Sequence, residues 1–190
     1  MLPSSNIRCI VLTGFMGAGK STTGAMLART LGWRFLDSDA IIESRAGDTI
    51  ARIFAERGEA AFRALEADVI REYAGDRSGQ NLVLAVGGGA IEHPATREVL
   101  SSVTDIRIVF LDAPLEVMVT RCLAQPGAAE RPVLADRERL AQRFSARLPH
   151  YRRAHLTVAT ADLTPQSVVE HILIGLSNAN TCAEKGLSTR

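Results

Sequence analysis

The amino-acid sequence predicts an α/β fold in which helices cover both faces of a parallel β-sheet. Short apolar runs typical of buried strands alternate along the chain with segments of helical periodicity, and this alternation indicates parallel strands joined by helices. A glycine-rich stretch joins the first strand to the first helix. The 190 residues, of which 46% are hydrophobic, suffice for one domain with a sizeable core.

The hydrophobic pattern predicts each element in turn. Strands are predicted at 7–13, 33–36, 82–86, 106–111 and 156–159. Helices are predicted at 20–31, 40–46, 49–56, 60–73, 94–100, 115–122, 136–147 and 165–176. Gly58-Glu59 separates the third helix from the fourth. Pro94 and Pro165 stand where proline suits the first turn of a helix.

Two segments lack this periodicity. Residues 124–135 contain Pro126, Gly127 and Pro132, and they predict a mobile loop. The polar residues 178–190 predict a flexible C-terminal tail. We therefore expect a single domain over residues 1–177.

The composition excludes several classes of protein. A formal net charge of +1 gives no bulk basic character that would indicate nucleic-acid binding. The three cysteines share no metal-binding spacing and predict reduced thiols in a cytoplasmic protein. No apolar run approaches the ~18 residues of a membrane helix, so no membrane partner is expected. The first six residues are too short and too polar for a signal peptide.

Gly14 to Ser21 match the phosphate-loop pattern G-x-x-x-x-G-K-[ST], in the required context of strand, loop and helix. The glycines let backbone amides converge on phosphate oxygens at a helix N-terminus. Lys20 would reach the terminal phosphates, and Ser21 would offer its hydroxyl to Mg2+. The alternative is a glycine-rich turn with a chance lysine. Of the 22 lysines and arginines, just Lys20 and Lys185 are lysines, which favours a specific role for Lys20.

Two aspartates follow the second predicted strand, in Asp37-Ser38-Asp39. Near a phosphate loop, carboxylates hold Mg2+ through water, orient a hydroxyl or accept its proton. The alternative for Asp39 is that it only caps the next helix. Asp112 also ends an apolar strand and is a rival metal ligand, with capping of the helix near Leu115 as its own alternative. The pattern by itself leaves these alternatives open.

The segment from Phe54 to Glu66 combines an apolar stripe with many charges. Arg63 stands between Glu59 at i−4 and Glu66 at i+3, so both can pair with it on one helix face. An ordinary solvated face is the alternative, and this segment alone favours it. Gly87-Gly88-Gly89, after the third strand, indicates either a close approach of the backbone to a ligand or a plain loop.

Three arginines in the C-terminal half are further candidates. Arg131 lies within the loop at 124–135 and Arg121 just before it. An arginine on a loop that closes over a transferring phosphate would stabilise the developing charge; a disordered polar loop is the alternative. Arg147 ends a predicted helix, where a cation also suits the helix dipole.

Five elements of this sequence, in this order, resemble the shikimate kinase family, a member of the nucleoside-monophosphate-kinase-like P-loop group. The resemblance runs from about Ile7 to Leu176, and the ordered set is more specific than the phosphate loop alone. The elements are the loop at 14–21; Asp37-Ser38-Asp39; Phe54…Gly58-Glu59…Phe62-Arg63…Glu66; Gly87-Gly88-Gly89; and Arg131-Pro132 followed by Arg147-x-Pro-x-Tyr151.

The resemblance implies a three-layer P-loop kinase fold with five parallel strands in the order 2-3-1-4-5. It implies that ATP, with Mg2+, phosphorylates the 3-hydroxyl of shikimate in aromatic amino-acid biosynthesis. The substrate-binding segment would lie at about 38–73 and the lid at about 124–135. The tail after Ser177 has no counterpart in the family, and we expect a monomer.

By matching position, the resemblance gives each candidate residue a role. The catalytic residues would be Lys20, Asp39 and Arg131. The nucleotide would be bound by Gly17, Ala18, Gly19, Lys20, Ser21, Thr22, Arg121, Arg131 and Pro165. Shikimate would be bound by Asp39, Arg63, Gly88 and Arg147. Ser21 and, through water, Asp37 would hold Mg2+, which favours Asp37 over Asp112.

Three other functions compete with this interpretation. A kinase for gluconate or a nucleoside monophosphate shares the loop, but a gluconate kinase is not expected to have the segment from Gly58 to Glu66 or the triple glycine. A GTP-binding switch requires an Asn-Lys-x-Asp motif, which the two lysines exclude. A non-catalytic nucleotide-binding module is disfavoured by the intact Lys20, Ser21 and acidic pair.

Overall fold

The computed structural model of this chain describes residues 7–76, 79–124 and 136–185, with side chains up to Asn178. The strands are β1 (Cys9–Thr13), β2 (Arg34–Asp37), β3 (Leu82–Ala85), β4 (Ile106–Asp112) and β5 (Leu156–Ala159). The α-helices are α1 (Lys20–Leu31), α2 (Ser38–Ala46), α3 (Ile50–Ala74), α4 (Pro94–Ser102), α5 (Leu115–Leu123), α6 (Arg137–Tyr151) and α7 (Pro165–Lys185). One turn of 3-10 helix (Ala90–Glu92) follows β3.

The five strands form one parallel sheet in the order β2-β3-β1-β4-β5. The central strand β1 pairs on both sides, with Leu12 opposite Ala85 of β3 and Val109 of β4. Every residue of β1 is buried, as expected for a strand with helices on both faces. The predicted fold class and strand order are therefore confirmed, and the carboxyl ends of the strands share one edge.

A second, smaller apolar cluster lies between α2 and α3. Its buried members are Ile42, Ile53, Phe62 and Val69. Gly58, inside α3, has φ 78° and ψ 168°, and this non-helical conformation interrupts the helix. Glycine adopts it readily, whereas a residue with a side chain does not. The predicted interruption at Gly58-Glu59 is confirmed, and the second half of α3 begins just before the charged residues of the site.

Two helices run further than the sequence pattern predicted. Helix α6 passes through Pro149 and ends at Tyr151. The backbone N–H that Pro149 lacks affects only the last turn of the helix. Tyr151 stabilises that turn because it is buried and stacked on Phe110, with ring centroids 5.0 Å apart. Helix α7 continues to Lys185, so the prediction that regular structure ends near Ser177 is wrong. Residues 178–185 contain neither glycine nor proline, and extending a helix that has already formed costs little free energy per residue.

In the ranges that the structure describes, no helix combines the length and the apolarity needed to span a membrane.

Candidate active site

The phosphate loop connects β1 to α1 at the carboxyl edge of the sheet. Gly14, Gly17 and Gly19 all have positive φ angles, of 146°, 75° and 95°. Gly19 is the N-cap of α1, and no side chain caps this helix. The amides of its first turn therefore remain for an anion at the positive end of the helix dipole.

Lys20 closes the loop on itself. Its Nζ donates hydrogen bonds to the carbonyl oxygens of Gly14 at 2.9 Å and Phe15 at 3.0 Å. Burial lowers the pKa of Lys20, and the negative charges of Asp39 and Asp37 act in the opposite direction. The ammonium group thus lies within the loop with two carboxylates in its electrostatic environment, where an added polyanion would favour its charged form.

The hydroxyl of Ser21 meets the first aspartate of the acidic pair. Its Oγ donates to Oδ2 of Asp37 at 2.6 Å, and Oδ1 of Asp37 accepts from the Asp39 amide at 3.1 Å as the N-cap of α2. Capping was the alternative role for Asp39, and that alternative is wrong because Asp37 is the capping residue. A hydroxyl and a carboxylate are oxygen donors of the kind that Mg2+ prefers.

No cluster of three or more metal-ligating side chains exists within the described residues. Mg2+ ordinarily takes one or two protein ligands and completes its shell with water and substrate phosphates. The residues present therefore fit Mg2+ bound together with a nucleotide.

Asp39 lies deeper in the site than Asp37. Its Oδ1 is buried and has no hydrogen-bond partner. Burial raises the pKa of Asp39 and the charge of Asp37 raises it further, whereas Lys20 and Arg63 lower it. Buried polar atoms normally have partners, so an unpaired oxygen here is what a substrate hydroxyl would satisfy.

Asp112 lies at the end of β4, where the sequence pattern suggested a rival metal ligand. It borders a surface pocket with Phe144 and Leu148 of α6, and its backbone carbonyl accepts from the Thr160 amide at 2.8 Å. The alternative that it caps the helix near Leu115 is wrong, since the N-cap of α5 is Pro114. The aspartate that Ser21 contacts through its hydroxyl is Asp37.

Arg63 pairs with two glutamates of its own helix, as the i−4 and i+3 spacing predicted. Its Nη2 is 3.2 Å from Oε1 of Glu59, and its Nη1 is 2.6 Å from Oε2 of Glu66. The side chains of Arg63 and Glu66 are 13% and 0% exposed, so the alternative of an ordinary solvated face is wrong. Burial raises the pKa of Glu66 to about 7, although Arg63 acts to lower it.

The triple glycine lies against these side chains. A Cβ on Gly87 would be 2.2 Å from Oε1 of Glu66 and 2.9 Å from Oδ1 of Asp39, and one on Gly89 would be 2.2 Å from Nη2 of Arg63. These distances are shorter than any van der Waals contact. Gly87 and Gly89 are therefore glycine because the side chains of Glu66, Asp39 and Arg63 occupy the space, a third explanation beside the two that the sequence suggested.

Two hydrogen bonds from other parts of the chain hold Gly87 and Gly88 of this loop. The Gly87 amide donates to Oγ of Ser38 at 3.1 Å, and the hydroxyl of Tyr151 donates to the carbonyl of Gly88. Helix α2 and helix α6 thereby both hold the loop. The sequence pattern contained Ser38 and Tyr151 within its motifs but gave no signal of these contacts.

Arg147 projects from α6 toward the glycine loop. Its Nε donates to Oε2 of Glu92 at 2.7 Å, its guanidinium lies 5.6 Å from the centroid of the Phe15 ring, and its Nη1 is 3.7 Å from the position of a Cβ on Gly88. Two arginines, from α3 and α6, thus face one glycine loop. Sequence reasoning missed Glu92, whose partner is 55 residues away in the chain.

Arg121, in α5, contacts the segment that precedes Pro165. Its guanidinium donates to Oγ1 of Thr160 at 3.1 Å and to the carbonyls of Thr160 and Ala161 at 2.5 and 3.2 Å. The structure therefore joins the two elements that the resemblance assigns to the adenine site. Arg131 and the predicted lid from 125 onward lie outside the described residues.

Comparisons with known proteins agree with this geometry. The family model "Shikimate kinase" matches residues 16–177. A shikimate kinase of Geobacter sulfurreducens is 44% identical over 171 residues, covering 88% of this chain and 90% of the relative. One of Thermus thermophilus is 40% identical over 167 residues, covering 86% and 87%.

Solved structures agree as well. A shikimate kinase from Acinetobacter baumannii in complex with shikimate superposes with a TM-score of 0.80 at 38% identity, covering 90% of this chain and 94% of that one. A gluconokinase from Sinorhizobium meliloti has a TM-score of 0.58 at 20% identity, covering 93% and 96%, which shows a shared fold alone. The ordered motifs, the site that they build and the relatives lead to one conclusion: the chain belongs to the shikimate kinase family.

Proposed function

We propose that the chain transfers the γ-phosphoryl group of ATP to the 3-hydroxyl of shikimate, and that the residues described above divide this work between two halves of the site. The observation that carries the proposal is the convergence of Asp39, Arg63 and Arg147 on the triple-glycine loop beside the phosphate loop. Shikimate is a small polyhydroxy carboxylate, which requires cationic groups for the carboxylate and an acidic acceptor for a hydroxyl.

The nucleotide half would bind ATP mainly through backbone amides of the phosphate loop and the first turn of α1. Lys20 would release its two loop carbonyls and contact the terminal phosphates, where charge develops during transfer. Ser21 and, through water, Asp37 would hold Mg2+, which when bound neutralises charge on the phosphates. The residues proposed to bind the nucleotide are Gly17, Ala18, Gly19, Lys20, Ser21, Thr22, Arg121, Arg131 and Pro165.

The substrate half would hold shikimate by its carboxylate and its hydroxyls. Arg63 and Arg147 would bind the carboxylate, and the backbone at Gly88 would support the ring. The unpaired Oδ1 of Asp39 would accept the hydrogen bond of the 3-hydroxyl and then its proton, as the hydroxyl oxygen attacks the γ-phosphorus and the bond to ADP breaks. A pKa that burial raises suits a general base that must take up a proton.

The remaining assignments are also proposals. Arg131 would stabilise the transferring phosphoryl group from the lid at about 124–135. Arg121 and the turn before Pro165 would enclose adenine, which agrees with their hydrogen bonds to one another. We further propose that the protein is a cytoplasmic monomer, and light scattering measures its mass in solution.

A substrate panel tests the activity. Phosphoryl transfer measured with shikimate, gluconate and AMP should be found with shikimate, and turnover of gluconate or AMP at a comparable rate would refute the proposal. Asp39→Asn should depress turnover at saturating Mg2+ because the hydroxyl loses its acceptor.

The two aspartates separate in the same assay. Asp37→Asn should raise the Mg2+ requirement because a metal-shell carboxylate is lost. If Asp112→Asn alone changes the Mg2+ dependence, the metal assignment is wrong. Asp68→Asn, on the exposed face of α3 and 68% exposed, is the matched control that should change neither quantity.

A further inference from the structure

Glu92 is a carboxylate beside the site to which the proposed reaction gives no role. It ends the single 3-10 turn that follows the glycine loop, and its Oε2 accepts from Nε of Arg147 at 2.7 Å. The side chain of Arg147 is 11% exposed and that of Glu92 is 36% exposed. An ion pair with one nearly buried partner is screened less by solvent than a surface pair.

The turn that carries Glu92 is itself fixed. The Glu92 amide donates to the Gly89 carbonyl at 3.0 Å. Nη1 of Arg97, from α4, donates to the carbonyls of Ile91 at 3.0 Å and Glu92 at 2.5 Å. The carboxylate is therefore presented from a rigid piece of chain that continues directly from the glycine loop, so its position is tied to the loop that would support the substrate ring.

The atom of Arg147 that Glu92 engages determines what remains for a ligand. A guanidinium can bind a carboxylate through its Nη1 and Nη2 or through its Nε and one Nη. Because Nε is already paired with Glu92, and the guanidinium also hydrogen-bonds to the Tyr151 side chain, the edge formed by Nη1 and Nη2 is the one that a ligand carboxylate would meet. Nη2 lies 2.9 Å from the position of a Cβ on Gly89, and Nη1 lies 3.7 Å from that on Gly88. This edge therefore borders the glycine loop.

We propose that Glu92 is a positioning residue that holds the guanidinium of Arg147 by its Nε, so that Nη1 and Nη2 face the carboxylate of the acceptor substrate. The inference rests on the proposed role of Arg147 in binding that carboxylate. Glu92 makes no contact with the substrate in this scheme. It acts by keeping one flexible side chain in its binding conformation before the substrate arrives, which lowers the ordering cost of binding.

The direction in which the KM for shikimate changes distinguishes a positioning role of Glu92 from a purely electrostatic one. A carboxylate near an anionic substrate repels it, so if Glu92 acted only by its charge, removing it would lower the KM for shikimate. If it positions Arg147, Glu92→Ala should raise the KM for shikimate by about 10-fold, the effect of losing one charged hydrogen bond. The KM for ATP and the kcat should stay near those of the wild type.

Three comparisons isolate the positioning role. Glu92→Gln keeps an oxygen acceptor for Nε without the charge, and it should return the KM for shikimate to within about 3-fold of the wild type. Glu92→Ala introduced into Arg147→Ala should cost no further affinity, because the group that it positions is gone. Glu98→Ala, a change at an exposed glutamate of α4, is the control and should change nothing.

The possible results are distinguishable. An unchanged or lower KM in Glu92→Ala, a loss in Glu92→Gln as large as in Glu92→Ala, or an equal further loss in the Arg147→Ala background overturns the inference. An Arg147→Ala enzyme with normal KM for shikimate would instead refute the proposed role of Arg147. If Glu92→Ala melts below the assay temperature, Glu92→Met replaces it, since methionine keeps the length of the side chain without a strong acceptor.

Discussion

Two glycine-rich loops border the site, and they require glycine for different reasons. In the phosphate loop, Gly17 has a φ of 75°, and a Cβ there would lie 2.2 Å from the backbone oxygen of Met118. In the loop Gly87–Gly89, which the structure describes in full, no glycine has a positive φ. A Cβ on Gly89 would instead meet the guanidinium of Arg63 at 2.2 Å. The nearest obstacle is therefore backbone at Gly17 and a side chain at Gly89.

This difference reflects how the two halves of the site are built. The phosphate loop is one contiguous stretch whose main chain would supply most of the phosphate-binding groups. The substrate half assembles side chains from α2, α3 and α6 around the second loop. We therefore expect changes in the first half to disable phosphoryl transfer to any acceptor, and changes in the second half to alter the recognition of one acceptor.

Lys20→Ala should have the largest effect and would test the first half of this comparison. Loss of one preorganised group at the transferring charge typically lowers kcat by about 100- to 1,000-fold, and we expect at least that. A coupled ADP assay measures it, and circular dichroism checks the fold. Arg29→Ala, at an exposed site in the last turn of the same helix, is the control. A folded Lys20→Ala enzyme with turnover near the wild type would contradict the assignment.

Arg63→Ala and Arg147→Ala should act on the acceptor alone. A charged hydrogen bond is worth roughly 1.5–3 kcal/mol, so each change should weaken shikimate by about 10- to 150-fold and leave ATP affinity nearly unchanged. The two losses should not add, because both groups would bind one carboxylate. Binding isotherms for each ligand measure this.

A neutral substrate sharpens the same test. Shikimate with its carboxylate replaced by an amide should bind the wild type poorly, and Arg63→Ala should weaken it little further. An amide that reacts as well as shikimate would mean that the arginines recognise something else.

Gly17→Ala and Gly89→Ala should separate backbone from side-chain constraint. Gly17→Ala combines an unfavourable φ with a clash against fixed backbone, so we expect the free energy of unfolding to fall by about 3 kcal/mol. Gly89→Ala meets the end of the Arg63 side chain, which can move. It should therefore leave stability within about 1 kcal/mol of the wild type and raise the KM for shikimate. Equal losses of stability would erase the distinction drawn between the loops.

The same contrast explains how much the sequence could predict. The phosphate loop, the strand order and the interruption at Gly58 depend on local patterns or on the family resemblance, and the structure agrees with them. The pairing of Arg63 with Glu59 and Glu66 was predictable because all three lie on one helix face. The burial of Glu66 was not, since a single helix pattern does not reveal which face the rest of the chain covers.

Contacts between distant elements were beyond the pattern. Glu92 and Arg147 meet only because the fold brings the turn after β3 beside α6, and the bond from Tyr151 to Gly88 spans 63 residues. The boundary at Ser177 was missed for another reason: polarity indicates exposure, and it does not by itself end a helix that has already formed. Contacts between distant parts of the chain determine these features, and local patterns in a single sequence do not predict such contacts.

The last prediction concerns the buried carboxyl of Glu66 in the proposed substrate half. Burial raises the pKa of Glu66 to about 7, from an ordinary 4.5. Between these two values the folded protein holds this proton more tightly than the unfolded chain, so folding takes up a proton. The contribution of Glu66 to stability is therefore fully present below about pH 4.5 and is lost as the pH rises through 7.

Comparison with Glu66→Gln isolates this effect, because groups distant from Glu66 titrate alike in both proteins. From pH 5 to pH 8, the wild type should lose about 2 kcal/mol of unfolding free energy relative to Glu66→Gln. Each unit by which folding raises a pKa corresponds to ~1.4 kcal/mol. Urea unfolding at the two pH values measures the difference, and Glu98→Gln should follow the wild type at both. Parallel curves for the wild type and Glu66→Gln would mean that Arg63 keeps Glu66 ionised throughout, so that the substrate half tolerates its buried charge as a fixed ion pair.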